Sequence, residues 1–284
     1  MINILLTGSS GFIGSNLLQE ISKFHKIYIT VRKKPTKKFF YKKNIIFIYF
    51  KNYEHLNNQL KKIRIHTVIH CATHYVKNHV YSDIHKLAYS NILLGNIILE
   101  NLKIMKVKRF VNFSTIWQDT VNTGGKYINL YAAYKKGFSE IVNYYKNLHK
   151  NINFFEILIS DTFGVNDKRE KLAFVLKKNY KNNKFSKIIS KNLFMNLLNV
   201  KDINSAIIKI LNGKIKADRY VLKNNKDFKI SYLIEKFNEK FNKKLKVKWQ
   251  SNKIIKYKVT KYNNLRSWKP KESAVSDIIN YIAN

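Results

Sequence analysis

Tyr131 and Lys135 stand four positions apart, and Ser114-Thr115 ends sixteen positions before the tyrosine. On a helix, side chains at i and i+4 lie one above the other on a single face. An ammonium so placed stabilises a tyrosinate and draws the phenol down from its usual pKa of about 10, so that it serves as acid or base near neutrality. A hydroxyl from Thr115 or Ser114, at the end of a neighbouring strand, hydrogen-bonds a carbonyl or alcohol oxygen while a hydride moves. Tyr134 is the competing phenol, but the residue four positions on is Phe138 rather than a lysine. The constellation therefore points to hydride chemistry at a carbonyl, with Thr115, Tyr131, Lys135 and Ser114 as its catalytic candidates.

Such groups need a scaffold that also holds a hydride carrier. Strand-like runs occur at Asn3–Thr7, Lys26–Val31, Ile45–Phe50, Thr67–Cys71, Phe110–Ser114 and Phe154–Ile159. Stretches of helical length lie between them at Ile13–Phe24, Tyr53–Ile63, Asp83–Asn101 and Tyr131–Asn147. This alternation predicts an α/β fold, a Rossmann-type doubly wound parallel sheet. The segment Thr7-Gly8-Ser9-Ser10-Gly11-Phe12-Ile13-Gly14 follows the first strand and opens the first helix. Glycines there permit a tight turn and let backbone N–H groups approach a pyrophosphate at the positive end of the helix. Gly8, Ser10, Gly11, Phe12, Ile13 and Gly14 are thus expected to bind a dinucleotide. The second strand runs into Arg32 and Lys33 with no acid to grip a ribose, which favours NADP through Arg32 and leaves NAD possible. From about Asp161 the pattern loosens, apart from helical runs at Val200–Leu211 and Ser231–Phe241. The expected organisation is a nucleotide-binding domain over residues 1–160, joined by a returning helix at about 197–212. A smaller, discontinuous C-terminal part, mainly 161–284, would bind substrate.

Composition narrows the class. Hydrophobic residues make up 45% of the 284 and aromatics 14%, enough for a core and too many for a disordered polyelectrolyte. There are 54 Lys+Arg against 17 Asp+Glu, a formal net charge of +37. That field would attract nucleic acid. The basic residues are, however, spread along the chain and almost all lysine, the arginines being Arg32, Arg64, Arg109, Arg169, Arg219 and Arg266. Readers of nucleic acid favour the planar arginine fork, so nucleic acid is the disfavoured partner and compositional drift the favoured explanation. No apolar run approaches the roughly 18 residues of a membrane span, and the start of the chain reads as a buried strand rather than a signal peptide. The single cysteine, Cys71, excludes an internal disulfide and suits a cytoplasmic protein. His70, Cys71 and His74 lack a fourth ligand at suitable spacing, so no metal is expected.

Taken together, TGSSGFIGSN at 7–16, VIHCATHY at 68–75, SNILLGN at 90–96, FVNFSTIWQ at 110–118, NLYAAYKKGFSE at 129–140 and VKDINSA at 200–206 resemble an extended short-chain dehydrogenase/reductase. They follow the order of the NAD-dependent epimerase/dehydratase family across nearly the whole chain. The residues at 115–118, 129–133 and 161–172 are most similar to the CDP-abequose/CDP-paratose synthase group. That resemblance implies NADPH-dependent reduction of a nucleotide-linked 4-keto-6-deoxy sugar, within nucleotide-sugar metabolism and O-antigen or polysaccharide biosynthesis. It implies that Thr115 orients the keto oxygen, Tyr131 donates the proton, and Lys135 tunes Tyr131 and binds the nicotinamide ribose. By the same resemblance Ala72 and Asn91 line the cofactor, while Thr73, His74, Asp161, Arg169 and Lys171 meet the substrate. Arg169 has either a diphosphate or a surface structural partner. The family's four-helix interface implies a homodimer through 83–101 and 131–147. Two positions depart from its pattern: His66 replaces the usual acid before the VIH strand, and Val165 replaces a proline. A 4,6-dehydratase would need an acid pair after Thr115, where Ile116 and Trp117 stand. A 4-epimerase would use the same catalytic groups and is the alternative.

Overall fold

The computed structural model describes residues 1–119, 128–213, 215–256, 263–265, 267–272 and 274–284. The chain runs β1 (Asn3–Thr7), α1 (Phe12–Ile21), β2 (Lys26–Val31), a 3-10 turn (Lys38–Tyr41), β3 (Ile45–Tyr49), α2 (Tyr53–Leu60) and β4 (Thr67–His70). Then come α3 (Asp83–Ala88), a π-helical turn (Tyr89–Leu93), α4 (Leu94–Glu100), β5 (Arg109–Thr115), a 3-10 turn (Ile116–Asp119), α5 (Leu130–Leu148) and β6 (Asn153–Ile159). The remainder comprises β7 (Asp161–Phe163), α6 (Leu172–Lys181), β8 (Ser186–Ile188), β9 (Phe194–Met195), β10 (Leu197–Asn199), α7 (Val200–Leu211) and β11 (Arg219–Leu222). It ends with β12 (Phe228–Lys229), α8 (Ile230–Lys240), β13 (Val247–Trp249), β14 (Asn263–Asn264) and α9 (Val275–Ala283).

Eight strands form one sheet in the order β14-β11-β6-β5-β4-β1-β2-β3, with every pairing parallel. Parallel strands need crossovers, and the helices of those crossovers cover both faces, which is why the central strands are apolar throughout. In β5, six of seven residues are buried. Leu17, Leu18 and Ile21 of α1 pack with Ile203, Ile207 and Ile210 of α7 over one face. Leu56 and Leu60 of α2, Ile98 and Leu99 of α4, and Phe138 and Val142 of α5 fill the other. A third core, separate from the sheet, gathers Phe163, Leu176, Leu233, Phe237, Ile278 and Ile282 from β7 and helices α6, α8 and α9.

The direction in which strands are added to the sheet reverses between β1 and β4. After β3 the chain crosses back over β1 to lay down β4 on the other side. In open α/β sheets a crevice forms at that point outside the carboxyl ends of the strands. The first six strands match their sequence spans to within a residue or two. The stretch 83–101 is helical throughout but contains a π turn, and β11 and β14 extend the main sheet from a region whose sequence pattern is weak.

Candidate active site

β1 ends at Thr7, and Gly8 turns the chain with φ +68°. A Cβ on Gly8 would stand 2.6 Å from the backbone nitrogen of Ala72, and one on Gly14 2.2 Å from the carbonyl oxygen of Gly8. The loop is closed by Gly11 N–H donating to the Gly8 carbonyl at 2.9 Å. Gly11 is also the N-cap of α1 and supplies no capping side chain. The first-turn amides of Phe12 and Ile13 therefore keep their donors for an anion at the crevice. Thr7 stitches this corner to β4: its hydroxyl accepts from Ala72 N–H at 3.1 Å and lies 2.9 Å from His70 Nδ1. Burial pushes His70 down to about 3, so the imidazole is neutral and its role is to fix strand ends. These residues fit the pyrophosphate of a dinucleotide. Arg32 follows the last residue of β2 and is exposed, away from the catalytic groups.

Thr115 is the last residue of β5 and only 8% exposed. Its hydroxyl oxygen accepts from Trp117 N–H at 3.3 Å. Ser114, one residue earlier, points into the protein and donates to Gln118 Oε1, so Thr115 is the hydroxyl nearer the crevice. Tyr131 sits in the first turn of α5, whose N-cap Asn129 accepts from Ala132 N–H at 2.9 Å. One turn on, Lys135 is buried and donates from Nζ to the Phe113 carbonyl at 2.5 Å. The expected fall in the Tyr131 pKa is not what this geometry gives. Burial raises the phenol to about 12, with a hydrogen bond to Thr73 working the other way. The ammonium is aimed at a β5 carbonyl instead. Burial also lowers Lys135 itself to about 8, against the attraction of Glu156.

The approach to Tyr131 is built from two loops. Asn91 lies within the π turn, 1% exposed, and its Oδ1 accepts from Thr73 Oγ1 at 2.6 Å and His74 N–H at 3.0 Å. Its Nδ2 donates to the His74 carbonyl at 3.0 Å. Asn91 thus holds the 73–74 loop, and the π turn brings it there, a common use of such insertions. His74 Nε2 lies 3.7 Å from Asp83. Tyr75 follows and meets Tyr131 edge-to-face at 5.1 Å. From the other side Lys171 pairs with Asp161 at 2.9 Å and stands 5.2 Å from the Tyr75 ring and 5.0 Å from that of Trp117.

Arg169 is committed locally. Its Nε and Nη2 donate to the two oxygens of Asp167 at 2.7 and 2.8 Å, and Nη2 also donates to Thr162 Oγ1 at 2.8 Å. The guanidinium lies 4.1 Å from the Phe12 ring centroid, so the loop after β7 rests on the glycine turn. Asn16 adds a bond from α1 to the Val165 carbonyl at 3.2 Å.

The structure gathers Thr115, Tyr131, Lys135, Thr73, Asp161 and Lys171 around one crevice and leaves Arg32 at the end of β2. Tyr75 and Trp117, which line that crevice, are not among the site residues expected from sequence; an aromatic at or next to the end of two of the motif segments is the available signal. Cys71 is a poor nucleophile, since burial pushes its thiol well up. Among the described residues no group of three or more His, Cys, Asp and Glu side chains is arranged to hold a metal. No described helix is long and apolar enough to cross a membrane.

Known proteins agree with this architecture. The chain is 25% identical over 217 residues to a CDP-abequose synthase of Salmonella muenchen, covering 76% of this chain and 72% of that one. It is 26% identical over 214 residues to a CDP-abequose synthase of Yersinia pseudotuberculosis, covering 75% and 74%. In fold it is similar to the UDP-glucuronic acid 4-epimerase of Bacillus cereus in complex with UDP-glucuronic acid and NAD, with TM-score 0.77, 19% identity and 99% of both chains covered. Residues 4–222, the stretch from β1 through β11 that contains the glycine turn and the Tyr131–Lys135 helix, match the sequence profile of a known family. With that match, this chain belongs to the NAD dependent epimerase/dehydratase family.

Proposed function

We propose that this protein uses NADPH to reduce a nucleotide-linked 4-keto-6-deoxy sugar, as its CDP-abequose synthase relatives suggest. The observation that carries the reading is the pair Ile116-Trp117 behind Thr115. Where elimination of water would call for acids, this site presents a buried isoleucine and a crevice-facing tryptophan. The state of Tyr131 points the same way. With its pKa at about 12 the phenol is protonated at neutral pH, the form needed to deliver a proton to an oxygen that receives a hydride. The bound nicotinamide would supply that hydride. Thr115 hydrogen-bonds the keto oxygen, Tyr131 protonates it as charge develops, and Lys135 holds a positive charge beneath the phenol. Thr73, His74, Asp161 and Lys171 flank the sugar, Lys171 standing beside the Tyr75 and Trp117 rings.

The test is stoichiometry. Purified protein should oxidise one NADPH per sugar reduced when given CDP-4-keto-6-deoxyglucose. Interconversion of a CDP-sugar pair with no net cofactor consumption would overturn the reading in favour of epimerisation. In the same assay Arg32→Asp should reverse the preference from NADPH to NADH. The loss of a charge-assisted phosphate contact should cost about 2 kcal/mol for NADPH, roughly 30-fold in kcat/KM. An unchanged NADPH/NADH ratio would show that the 2′-phosphate is not held there.

A homodimer belongs to the same proposal. Ile84, Tyr89 and Leu93 on the α3 side and Tyr144 and Leu148 on α5 are exposed apolar groups, a surplus for a solvated face. Phe138, also on α5, is fully buried in the protein's own core. Two subunits of charge +37 repel, and the Debye length falls to about 8 Å at 0.15 M salt. Association should therefore strengthen as salt rises. Light scattering at micromolar protein checks this, and a monomer at both low and moderate salt would exclude the dimer.

A further inference from the structure

Behind the crevice lies a buried polar chain that neither the reaction nor the family match accounts for. Glu156 sits in the middle of β6 between Phe155 and Ile157 and is 6% exposed. A carboxylate in the interior of a parallel sheet is a costly placement unless it is paired and hydrogen-bonded. Here both of its oxygens are. Arg219 of β11, opposite in register, donates from Nε to Glu156 Oε2 at 2.6 Å. Ser139 of α5 donates its hydroxyl proton to Oε1, and Gln118 Nε2 donates to the same oxygen at 3.3 Å. With its amide nitrogen committed, Gln118 turns Oε1 toward Ser114, whose hydroxyl donates to it. Gln118 belongs to the 3-10 turn that begins directly after Thr115, and Ser139 stands one helical turn beyond Lys135 on the same face of α5.

We propose that Glu156 is a positioning residue for the reaction, fixing the Thr115 turn through Gln118 and Ser114 and serving, through its charge and Ser139, as counter-anion to Lys135. This rests on the roles given to Thr115 and Lys135 above. The groups that act on Lys135 are His70 at the end of β4, Cys71 directly after it, Glu156 from β6 and the neutral Phe113 carbonyl of β5, with Tyr131 one turn back on its own helix. His70 is held neutral and Cys71 remains a thiol, so Glu156 is the anion of that set. Asp119 on the turn is engaged with Lys136 at 3.0 Å. Anionic neighbours favour an ammonium, so removing this one lowers the pH at which Lys135 gives up its proton.

The experiment follows the Nζ of Lys135 by NMR in [15N]lysine-labelled protein, taking as Lys135 the resonance that Lys135→Arg removes. In the parent it should titrate near 8. Glu156→Gln, which keeps the shape and removes the charge, should move that midpoint down by about one unit. The alkaline fall of kcat should move with it, and kcat should drop by about tenfold while the KM for NADPH changes little. An unmoved Lys135 midpoint in a folded Glu156→Gln protein overturns the proposal and leaves Glu156 as a tie for β11 alone. If that variant does not fold, Gln118→Met and Ser139→Ala carry the test: a fall in kcat at constant KM supports it, and an unchanged kcat overturns it. The lysine titration needs no substrate. A parent inactive on CDP-4-keto-6-deoxyglucose would therefore count against the proposed substrate and not against the role of Glu156.

Discussion

Tyr131→Phe is expected to lower turnover by about a thousandfold and to leave NADPH affinity within a few-fold of the parent. General acid catalysis by a positioned side chain contributes roughly 10²–10⁴-fold, and here the Tyr131 phenol stands at the crevice with its proton in place. The substitution removes little else. Phe keeps the ring against Tyr75, 5.1 Å away in the parent, and one half-buried hydroxyl disappears along with its bond to Thr73. The melting temperature should therefore move by no more than a few degrees. On the proposed function, cofactor affinity rests on the glycine turn and the α1 N-terminus, so a loss in kcat without a loss in binding is the signature of an interaction made in the transition state. Lys135→Met should differ by damaging both, because its ammonium is bonded to the β5 carbonyl at the floor of the site. Steady-state rates and NADPH fluorescence titration read the two quantities. Turnover of Tyr131→Phe within about tenfold of the parent would remove Tyr131 from the chemistry.

The second large effect is expected at Gly8. Alanine there meets two obstacles. The backbone is in the left-handed region at φ +68°, costing a residue with a Cβ about 1 kcal/mol. The new atom would also lie 2.6 to 2.7 Å from Ala72 N, Ala72 Cα and Cys71 C, all backbone at the end of β4, so no side chain can swing aside. Either β1 and β4 part at the corner where Thr7 and His70 are paired, or the turn unwinds. Gly8→Ala should cost about 2–4 kcal/mol of stability and reduce NADPH affinity by about a hundredfold or more. Gly11→Ala is milder, since its Cβ would stand 3.2 Å from a single carbonyl oxygen with φ in the ordinary range. Gly137→Ala serves as the opposite control. It lies inside α5 with no atom nearer than 4.0 Å, so it should stabilise the helix by up to about 1 kcal/mol. Chemical denaturation and cofactor titration of the three variants check the order; a Gly8→Ala protein that binds NADPH like the parent would contradict the close approach.

The parts of this molecule that the sequence announced are those whose physics is local. β1, β2 and β4 are short apolar runs, Gly8, Gly11 and Gly14 mark a turn that few other residues can make, and Tyr131 and Lys135 fall one turn apart on α5 because a helix stacks i and i+4. β11 and β14 were hidden because four and two residues carry too little periodicity to register. The insertion that places Asn91 was hidden as well, since a π turn leaves the helical pattern almost intact. Arg169 illustrates a different case. The sequence left a diphosphate and a structural partner open for it, and Asp167, two positions away, takes two of its donors. The Glu156 chain was the least legible. Its members come from the β5 end, α5, β6 and β11, and a lone glutamate in a strand reads from sequence as a solvent-facing position.

The pairing of Glu156 with Arg219 also bears on how the chain is made. The first 159 residues supply six strands in the order β6-β5-β4-β1-β2-β3, and in that partial sheet β6 is an open edge until β11 arrives sixty residues later. At roughly 5–20 residues per second that interval lasts several seconds. An unpaired edge with the sequence Phe154, Phe155, Ile157, Leu158 and Ile159 is a template for joining another nascent chain. A carboxylate in its centre makes such a joint unfavourable, because any strand without a matching cation would bury the charge unpaired. β11 carries that cation at the register position opposite, so the nascent sheet discriminates its own seventh strand from a stranger's by charge.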